Sequence, residues 1–289
     1  LGIASSNHAV PKVAHPCTLL WTLSRSVRST LLFRKGYTAA VSAEDGAVMA
    51  QPRSLFKADP TRVHYDGGEF HYAGLISLHN FGAEVSALDS PPVEDIDVAI
   101  SLCLLVDKKA VIEVGGFDES FFILFEDLDL SHRLRLAGHR ILKVNSAAVL
   151  HDAGTAGISF REGTDYPGRR VYFHSRNRWL YMAKCHRLWT LLVSAPGLLV
   201  YEAAWVVFSA KQGHLGPWWR GKVAFFGRLP EVLRRRRQVQ RGRKIGDRRL
   251  LVGGPLTLSP NLSSSGGLGL RLLDSALRAW WGLCRWFVV

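Results

Sequence analysis

Cysteine is scarce in this sequence of 289 residues: the four are Cys17, Cys103, Cys185 and Cys284, and no two of them form a CxxC pair. This spacing excludes a disulfide-rich scaffold and a zinc ribbon, and it favours a reducing compartment. Internal repeats are absent as well. Because the chain is 47% hydrophobic and 21% charged, it is not wholly disordered, and its length allows one or two domains with a substantial core.

The beginning of the chain lacks two further features, an initiator methionine and a secretory signal. It starts Leu1-Gly2-Ile3, with no basic region followed by a clean apolar run, and residues 1–40 show no sustained periodicity. We therefore leave 1–40 unassigned and expect the chain to be a fragment of a longer protein.

Positive charge is concentrated in one segment. Residues 211–250 contain thirteen Lys and Arg against two acids, so they carry +11 of the net charge of +13, with Arg234–Arg237 at their centre. Such a run binds either nucleic acid or an anionic membrane surface. No nucleic-acid-binding motif accompanies it, whereas aromatic residues and an apolar run adjoin it, which favours the membrane and argues against nucleic acid as a partner.

Residues 41–185 have the pattern of a compact α/β unit. The apolar run Val98–Val106 is typical of a strand buried on both faces. Asp107 can cap a short helix through Val114, which Gly115-Gly116 would end. The elements predicted next are a helix over Glu126–Ala137, with Gly138 just past its end, and short strands over Arg140–Val144 and Ala147–Leu150.

Five landmarks in this unit follow one another at characteristic spacing. They are Gly115-Gly116-Phe117-Asp118-Glu119, the acidic start Glu126-Asp127-Leu128-Asp129, the run Arg133–Ile141, His151 after a short strand, and Ser175-Arg176-Asn177-Arg178. Taken singly, each has an ordinary structural explanation, such as acids that satisfy the exposed N–H groups of a helix start. Together they resemble the C-terminal half of family 2 glycosyltransferases, which have the GT-A fold.

The resemblance implies a role for each residue. These enzymes transfer a sugar from a nucleotide-diphosphate donor to an acceptor hydroxyl with inversion, which requires a base. Asp127 is the candidate base, held ionised by the helix N-terminus, and Glu126 is the runner-up. Gly116, Asp118 and Glu119 would line the donor and acceptor pocket, although Asp118 could equally cap its loop. Asp129 is expected to orient the helix start.

The resemblance also implies a divalent cation, Mn²⁺ or Mg²⁺, with His151 as one ligand. The family's DxD motif belongs to a nucleotide-binding first half that residues 1–40 do not resemble. Asp95-x-Asp97 has the right letters, but it directly precedes the predicted buried strand, so we interpret it as a coincidental match. A chain without the second ligand set is expected to be inactive alone. The loss of the nucleotide-binding half would also leave a sheet edge uncovered, so we expect either poor solubility or an unusual pairing of residues 1–40 with that edge.

The segment His64–Tyr72 (HYDGGEFHY) is dense in polar and aromatic residues. It fits no metal-ligand spacing. Its Gly67-Gly68 pair predicts either a loop near the acceptor, with rings available to stack on sugar faces, or a plain ordered loop.

Leu188–Ala210 is a 23-residue apolar stretch interrupted only by Pro196 and Glu202. Its length permits a membrane span, but both flanks are basic, which favours a hairpin broken near Pro196-Gly197 or an in-plane helix. A core helix of a soluble domain is the remaining alternative. The tail from Leu270 carries Arg271, Arg278 and Arg285 among tryptophans and predicts a second interfacial helix.

Taken together, the sequence predicts an α/β protein, a partial GT-A fold followed by membrane-associated helices. Its segments are 1–40 (unassigned), 41–185 (glycosyltransferase half), 186–252 (apolar helix and basic membrane-interface segment) and 253–289 (linker and Trp-rich tail). The expected function is transfer of a sugar to a cell-envelope or lipid-linked glycan at the cytoplasmic face of the cell membrane. The alternative is a non-catalytic membrane-interaction protein that retains part of the fold.

Overall fold

The structure, a computed structural model, describes residues 17–20, 46–151, 166–257 and 260–289, with backbone alone for 17–20 and 260–266. Its strands are β1 (Cys17–Leu20), β2 (Ala47–Phe56), β3 (Val63–Tyr65), β4 (Gly68–His71), β5 (Leu75–Leu78), β6 (Val93–Ile96), β7 (Leu104–Asp107), β8 (Arg140–His151) and β9 (Leu251–Val252). Its helices are α1 (Lys108–Glu113), α2 (Glu126–Leu136), α3 (Gly168–Cys185), α4 (Leu188–Lys211), α5 (Leu215–Gly227), α6 (Leu229–Arg241), α7 (Asp247–Leu250) and α8 (Pro260–Cys284). This α/β arrangement followed by helices confirms the predicted class.

The main sheet has the strand order β1-β7-β2-β8-β6, with β3 paired to β2. Strands β2 and β8 are parallel, from Ala47 opposite Arg140 to Phe56 opposite His151, so His151 ends its strand as predicted. The two short strands predicted over Arg140–Val144 and Ala147–Leu150 are one strand, β8. Its pairing with β2 shifts register between Pro52 and Arg53 of β2, which marks a bulge in β8, and the pairing then continues.

The prediction of one strand over Val98–Val106 is wrong. Only Leu104–Asp107 is a strand, and it pairs with β1 and β2, whereas the preceding β6 pairs with β8 at the other side of the sheet. The chain between them must therefore cross from one side of the sheet to the other. Val98 is buried in this crossing segment, where it bridges to Gly68. The apolar run therefore reflects burial of the crossing segment, and a strand buried on both faces would show the same pattern in the sequence.

Strand β1 covers the outer edge of β7, with Cys17 opposite Asp107 and Leu20 opposite Leu104 in an antiparallel pair. This matches the expectation that part of residues 1–40 pairs with the uncovered edge. Within β7, Leu104 and Val106 pack on one face of the sheet and Leu105 on the other, as the alternation of a strand requires.

The two helices predicted in this unit, after Asp107 and from Glu126, are confirmed. The Asp107 carboxylate accepts hydrogen bonds from the N–H groups of Lys109 and Ala110 at 2.8 and 3.1 Å, and thereby caps α1. Helix α2 runs from Glu126 to Leu136 and buries Leu130 and Leu134 against the sheet. Its position fixes the acidic first turn at the edge of this core.

The helices after residue 166 enclose a second core, and strand β9 pairs in parallel with β4 of the first part of the chain. Helix α4 continues through Pro196, so the predicted hairpin is wrong. Gly197 serves a close approach instead, since a Cβ there would lie 2.2 Å from the Tyr72 hydroxyl. By length and composition alone, α4 could cross a bilayer, and among the described helices it alone meets that criterion.

Two predictions for the C-terminal part need correction. The segment predicted as a linker to residue 269 becomes helical at Pro260, a residue suited to the first turn of a helix. The four consecutive arginines do not form one basic surface. Arg234 and Arg237 are exposed, whereas Arg235 pairs with Asp118 and Arg236 donates to the Ala183 carbonyl.

Candidate active site

The loop before α2 has an unusual backbone. Phe122, Leu124 and Phe125 have φ values of 63°, 66° and 74°, in the left-handed region that residues with a side chain rarely adopt. Phe125 occupies the N-cap position, and its side chain cannot cap the helix. Such a conformation requires support from its surroundings.

Helix α3 supplies that support through its Ser175–Arg178 run. The Asn177 amide donates to the carbonyl oxygens of Phe121, Ile123 and Leu124 at 3.0, 2.8 and 2.8 Å. The Arg176 guanidinium donates to the carbonyls of Ser120 and Phe121, each at 2.9 Å. The Ser175–Arg178 landmark therefore holds the loop that joins the two landmarks Gly115–Glu119 and Glu126–Asp129.

Glu126 and Asp127 form a carboxyl pair at the start of α2. Each has one buried oxygen, Glu126 Oε2 and Asp127 Oδ1, without a hydrogen-bond partner among the described residues. Asp127 accepts hydrogen bonds from the hydroxyl and the N–H of Ser101. Each of the two carboxyl groups therefore has one oxygen that can accept a further hydrogen bond.

Burial raises the pKa of both carboxyl groups. The pKa of Asp127 rises to about 6 despite its bonds to Ser101, and the pKa of Glu126 rises to about 7 because the Asp127 charge adds to burial. We expected the helix N-terminus to keep Asp127 fully ionised, but here desolvation outweighs the helix dipole. The two groups titrate as a pair near neutral pH, with Asp127 the more readily ionised.

A cavity of about 290 Å³ adjoins this pair. Its polar lining includes the predicted residues Asp118, Glu119 and Glu126, together with Ser101. Asp127 is not among the lining residues, although its partner Ser101 and its neighbour Glu126 are. The remaining walls are apolar and consist of Leu104, Val106, Val111, Phe117, Phe122 and Leu130.

Asp118 is an anchor for its loop. Its carboxylate lies 2.5 Å from Lys184 Nζ and 2.8 Å from Arg235, and it accepts the N–H of Ser120 at 3.0 Å. Burial opposes ionisation, but Lys184 and these hydrogen bonds lower the pKa of Asp118 to about 2. The capping role that the sequence left open is the one observed, and Glu119 beside it is exposed.

Gly116 and Asp129 are joined by one arginine. Arg133 on α2 donates to the Gly116 carbonyl at 2.6 Å and pairs with the buried Asp129 carboxylate at 2.8 Å. Lys184 also pairs with Asp129, at 2.7 Å. Asp129 thus fixes α2 to its neighbours, as predicted, and Gly116, with φ of 65°, uses its backbone and not a side chain.

His151 lies apart from this cavity, and its ring stacks on His64 with centroids 4.3 Å apart. Within the described ranges, no three His, Cys, Asp or Glu side chains converge in a metal-binding group. Asp95 and Asp97 are engaged in ion pairs with Arg140 and Arg135, each at 2.8 Å. The residues described do not form the expected divalent-metal site around His151, and the metal stays a prediction.

The segment His64–Tyr72 is not a sugar-stacking loop. Most of it is buried: Tyr65 donates to the Val98 carbonyl, and Asp66 pairs with Arg53 and Lys143 at 2.9 Å. Its polar residue Asp66 belongs to a buried ion cluster at the connection between β3 and β4.

Sequence reasoning missed Ser101, Lys184 and Arg235. Each contacts the site through tertiary packing from a distant part of the chain, so no local pattern marked it. Lys184 does carry a signal, since it is a charged residue on the otherwise apolar end of α3.

No family model matches this chain. Two curated relatives, both named N-acetylglucosaminyl-diphospho-decaprenol L-rhamnosyltransferase and from two strains of Mycobacterium tuberculosis, are 38% identical to it over 87 residues. That stretch is 30% of this chain and 26% of each relative, so the match spans about a quarter of their length. A solved structure of GalNAc-T7 with UDP, GalNAc and Mn²⁺ aligns with 56% of this chain and 32% of its own at 13% identity and a TM-score of 0.33, a similarity too weak to support an inference.

Proposed function

We propose that this chain is part of an inverting glycosyltransferase, in which it carries the acceptor side of the active site. The observation that supports this most directly is the Glu126–Asp127 pair, in which each residue has an unpartnered oxygen and Glu126 lines a largely apolar cavity. The 38% identity to the mycobacterial rhamnosyltransferases supports the same reaction class. Family 2 membership, which the landmarks imply, belongs to this proposal.

In the proposed reaction, Asp127 takes the proton of the acceptor hydroxyl. The hydroxyl oxygen forms a bond to the anomeric carbon while the bond from that carbon to the donor's diphosphate breaks, and the configuration inverts. Asp127 is assigned this role from the family resemblance, and burial raises the pKa of both carboxyl groups toward neutral pH, where the pair can take up a proton. Glu126 lines the cavity and can orient the acceptor by hydrogen bonding, while the apolar walls limit access of water.

The acceptor is proposed to be a lipid-linked sugar. The curated relatives are named for transfer of L-rhamnose to N-acetylglucosaminyl-diphospho-decaprenol. The exposed rings of Phe117 and Phe122 at the cavity provide apolar contact area for a sugar face or a prenyl chain. A lipid-linked acceptor places the reaction at a membrane, and the basic segment favours its cytoplasmic face.

The donor side is not assembled from the described residues. We therefore propose that the chain alone binds a nucleotide-diphosphate sugar weakly and does not turn it over. No step of the proposed mechanism is assigned to His151 or to a metal.

The test compares the chain alone with a chimera in which the N-terminal region of the mycobacterial relative precedes residue 46. Both are assayed with nucleoside-diphosphate rhamnose and N-acetylglucosaminyl-diphospho-decaprenol. We expect transfer by the chimera, a loss of about 10²–10⁴-fold in Asp127→Asn, and no loss in the control Asp95→Asn. Absence of transfer in both forms, or an unimpaired Asp127→Asn, would contradict the proposal.

The alternative is a non-catalytic membrane-interaction protein, which the exposed apolar residues of α4, such as Leu192 and Leu199, would also suit. It predicts vesicle binding by both forms and donor binding by neither. Calorimetric titration of the chimera with the donor and Mn²⁺ distinguishes the two functions.

A further inference from the structure

Helix α4 exposes a row of apolar residues. Its exposed side carries Leu188, Leu192, Leu199 and Val207 at helical spacing, and Leu199 is 68% exposed. Its other side packs into the second core through Leu198, Tyr201 and Trp205. In water, the exposure of these leucines is unfavourable, whereas contact with lipid makes the exposed face favourable.

The two helices that pack on α4 continue this pattern. Helix α5 exposes Leu215, Trp219, Val223 and Phe226, spaced by three and four residues, and Trp219 is 61% exposed. Helix α8 exposes a further row that extends into the turn after it, consisting of Leu268, Leu272, Leu283, Trp286 and Phe287. We call these exposed residues of α4, α5 and α8 the apolar face.

Cations border the apolar face. Arg271, Arg278 and Arg285 are exposed on α8 and its following turn, at intervals of seven residues. Arg248 and Arg285 lie over the ring of Trp286, at 4.8 and 5.5 Å from its centroid. Exposed tryptophans beside arginines are typical of the zone where a bilayer's headgroups meet its acyl chains, and the positive charge selects anionic lipid.

Helix α4 is tied to the protein along its length. Glu202 pairs with Arg178 of α3 at 2.7 Å and with Lys222 of α5 at 2.6 Å. Near the middle of the helix, Gly197 lies against Tyr72. A transmembrane α4 would have to break these contacts and leave Arg178 and Lys222 unpaired, at a cost that no contact with lipid on that side would offset.

We propose that the apolar face docks the protein on an anionic bilayer, with α4 lying in the plane of the membrane surface and not crossing it. The occupant of the face is lipid because exposed apolar residues recur on α4 and on two helices that contact it, and exposed arginines accompany them on α8 and its following turn. This inference does not depend on the proposed function, since it concerns a surface distinct from the cavity.

Flotation of the full chain with sealed vesicles tests the docking. We expect the wild type to float with vesicles containing about 30% phosphatidylglycerol, and less with phosphatidylcholine alone. The double variant Leu192→Asp/Leu199→Asp should lose at least about tenfold in partitioning. Ile112→Asp is the matched control, because Ile112 is also 62% exposed but lies on α1. A wild type that does not float, or a control that loses as much as the double variant, would overturn the proposal.

Two further measurements separate the competing occupants and orientations. If the face joined two copies of the chain, sedimentation in lipid-free buffer would show a dimer that Leu192→Asp/Leu199→Asp converts to a monomer, with no vesicle binding by the wild type. For orientation, Arg187→Cys and Lys211→Cys mark the two ends of α4. We expect a membrane-impermeant maleimide to label both ends of vesicle-bound protein, whereas protection of one end alone would show that α4 crosses.

Discussion

The ammonium group of Lys184 lies 2.5 Å from the carboxylate of Asp118, and the same ammonium lies 2.7 Å from Asp129. Lys184 belongs to α3, Asp118 to the loop that lines the cavity, and Asp129 to the helix that carries the candidate base. One buried cation therefore holds three elements of the candidate site in register.

Removal of that cation should destabilise the whole fold. We expect Lys184→Met to lower the free energy of unfolding by about 2–3 kcal/mol, because two buried carboxylates each lose one of their two cationic partners, while Arg235 and Arg133 remain. Lys109→Met is the control: Lys109 forms an exposed pair with Glu113, and its loss should cost at most about 0.5 kcal/mol. Urea denaturation measures both, and equal effects would contradict the bridging role.

Asp118 should make stability depend on acid pH. Its pKa is lowered from 3.8 to about 2, so its contribution is complete above pH 4 and is lost as the pH falls from about 4 to about 2. Asp118→Asn should remove about 2 kcal/mol of stability at pH 7 and flatten the pH dependence in that window. An unchanged acid slope in thermal melts of the variant would refute this assignment.

The carboxyl pair should affect activity and stability in opposite directions. Because the base must be ionised, kcat/KM should fall as the pH drops through about 7 to about 6. The raised pKa values mean that, between the usual pKa of about 4 and the raised values, the folded state binds more protons than the unfolded state, so stability should decline as the pH rises from about 4 to about 7 and level off above that. Asp127→Asn should therefore gain roughly 1–3 kcal/mol of stability at pH 8 while activity is lost. Destabilisation of this variant would show that the ionised Asp127 is well solvated or paired.

The Asn177 clamp should matter for turnover as well as for folding. We expect Asn177→Ala to reduce the free energy of unfolding by about 2–3 kcal/mol and kcat of the active chimera at least about tenfold, since the left-handed loop loses three amide contacts. Asn145→Ala serves as the comparison, because Asn145 donates to the Pro91 carbonyl away from the loop. It should lower stability but leave kcat unchanged; a parallel loss of kcat would indicate a general effect of stability.

The arginine run should divide into two functional pairs. Arg234→Gln/Arg237→Gln should weaken binding to anionic vesicles by about 30-fold, at about 1 kcal/mol for each exposed arginine, and the loss should shrink at high salt. Arg236→Gln should instead lower the melting temperature, because Arg236 donates to the carbonyls of Ala183 and His186 at the end of α3. Equal losses of vesicle binding in both variants would contradict this division.

The sequence predicted features that depend on neighbouring residues. Asp107 caps α1 and His151 ends β8 as expected, because caps and strand ends are set within a few positions. The strand over Val98–Val106 failed because burial alone does not distinguish a strand from a crossing segment. The prediction of a hairpin at Pro196 failed because Gly197 allows the close approach of Tyr72, about 120 positions away in the chain. Only tertiary packing creates that contact, so the local sequence could not indicate it.

The same distinction holds at the candidate site. The acidic residues were recognisable from their spacing, but their electrostatics depend on Ser101, Lys184 and Arg235. The helix dipole predicted a low pKa for Asp127, and the observed burial reverses that direction.

The exposed apolar row of α4 also bears on how quickly the protein could meet a lipid-linked acceptor. An enzyme held in the plane of the bilayer shares two dimensions with a polyprenyl substrate, so encounter becomes a surface search at high effective concentration. Under that condition, even a modest intrinsic affinity for the acceptor would suffice. Surface density of the acceptor, and not its bulk concentration, would then set the rate.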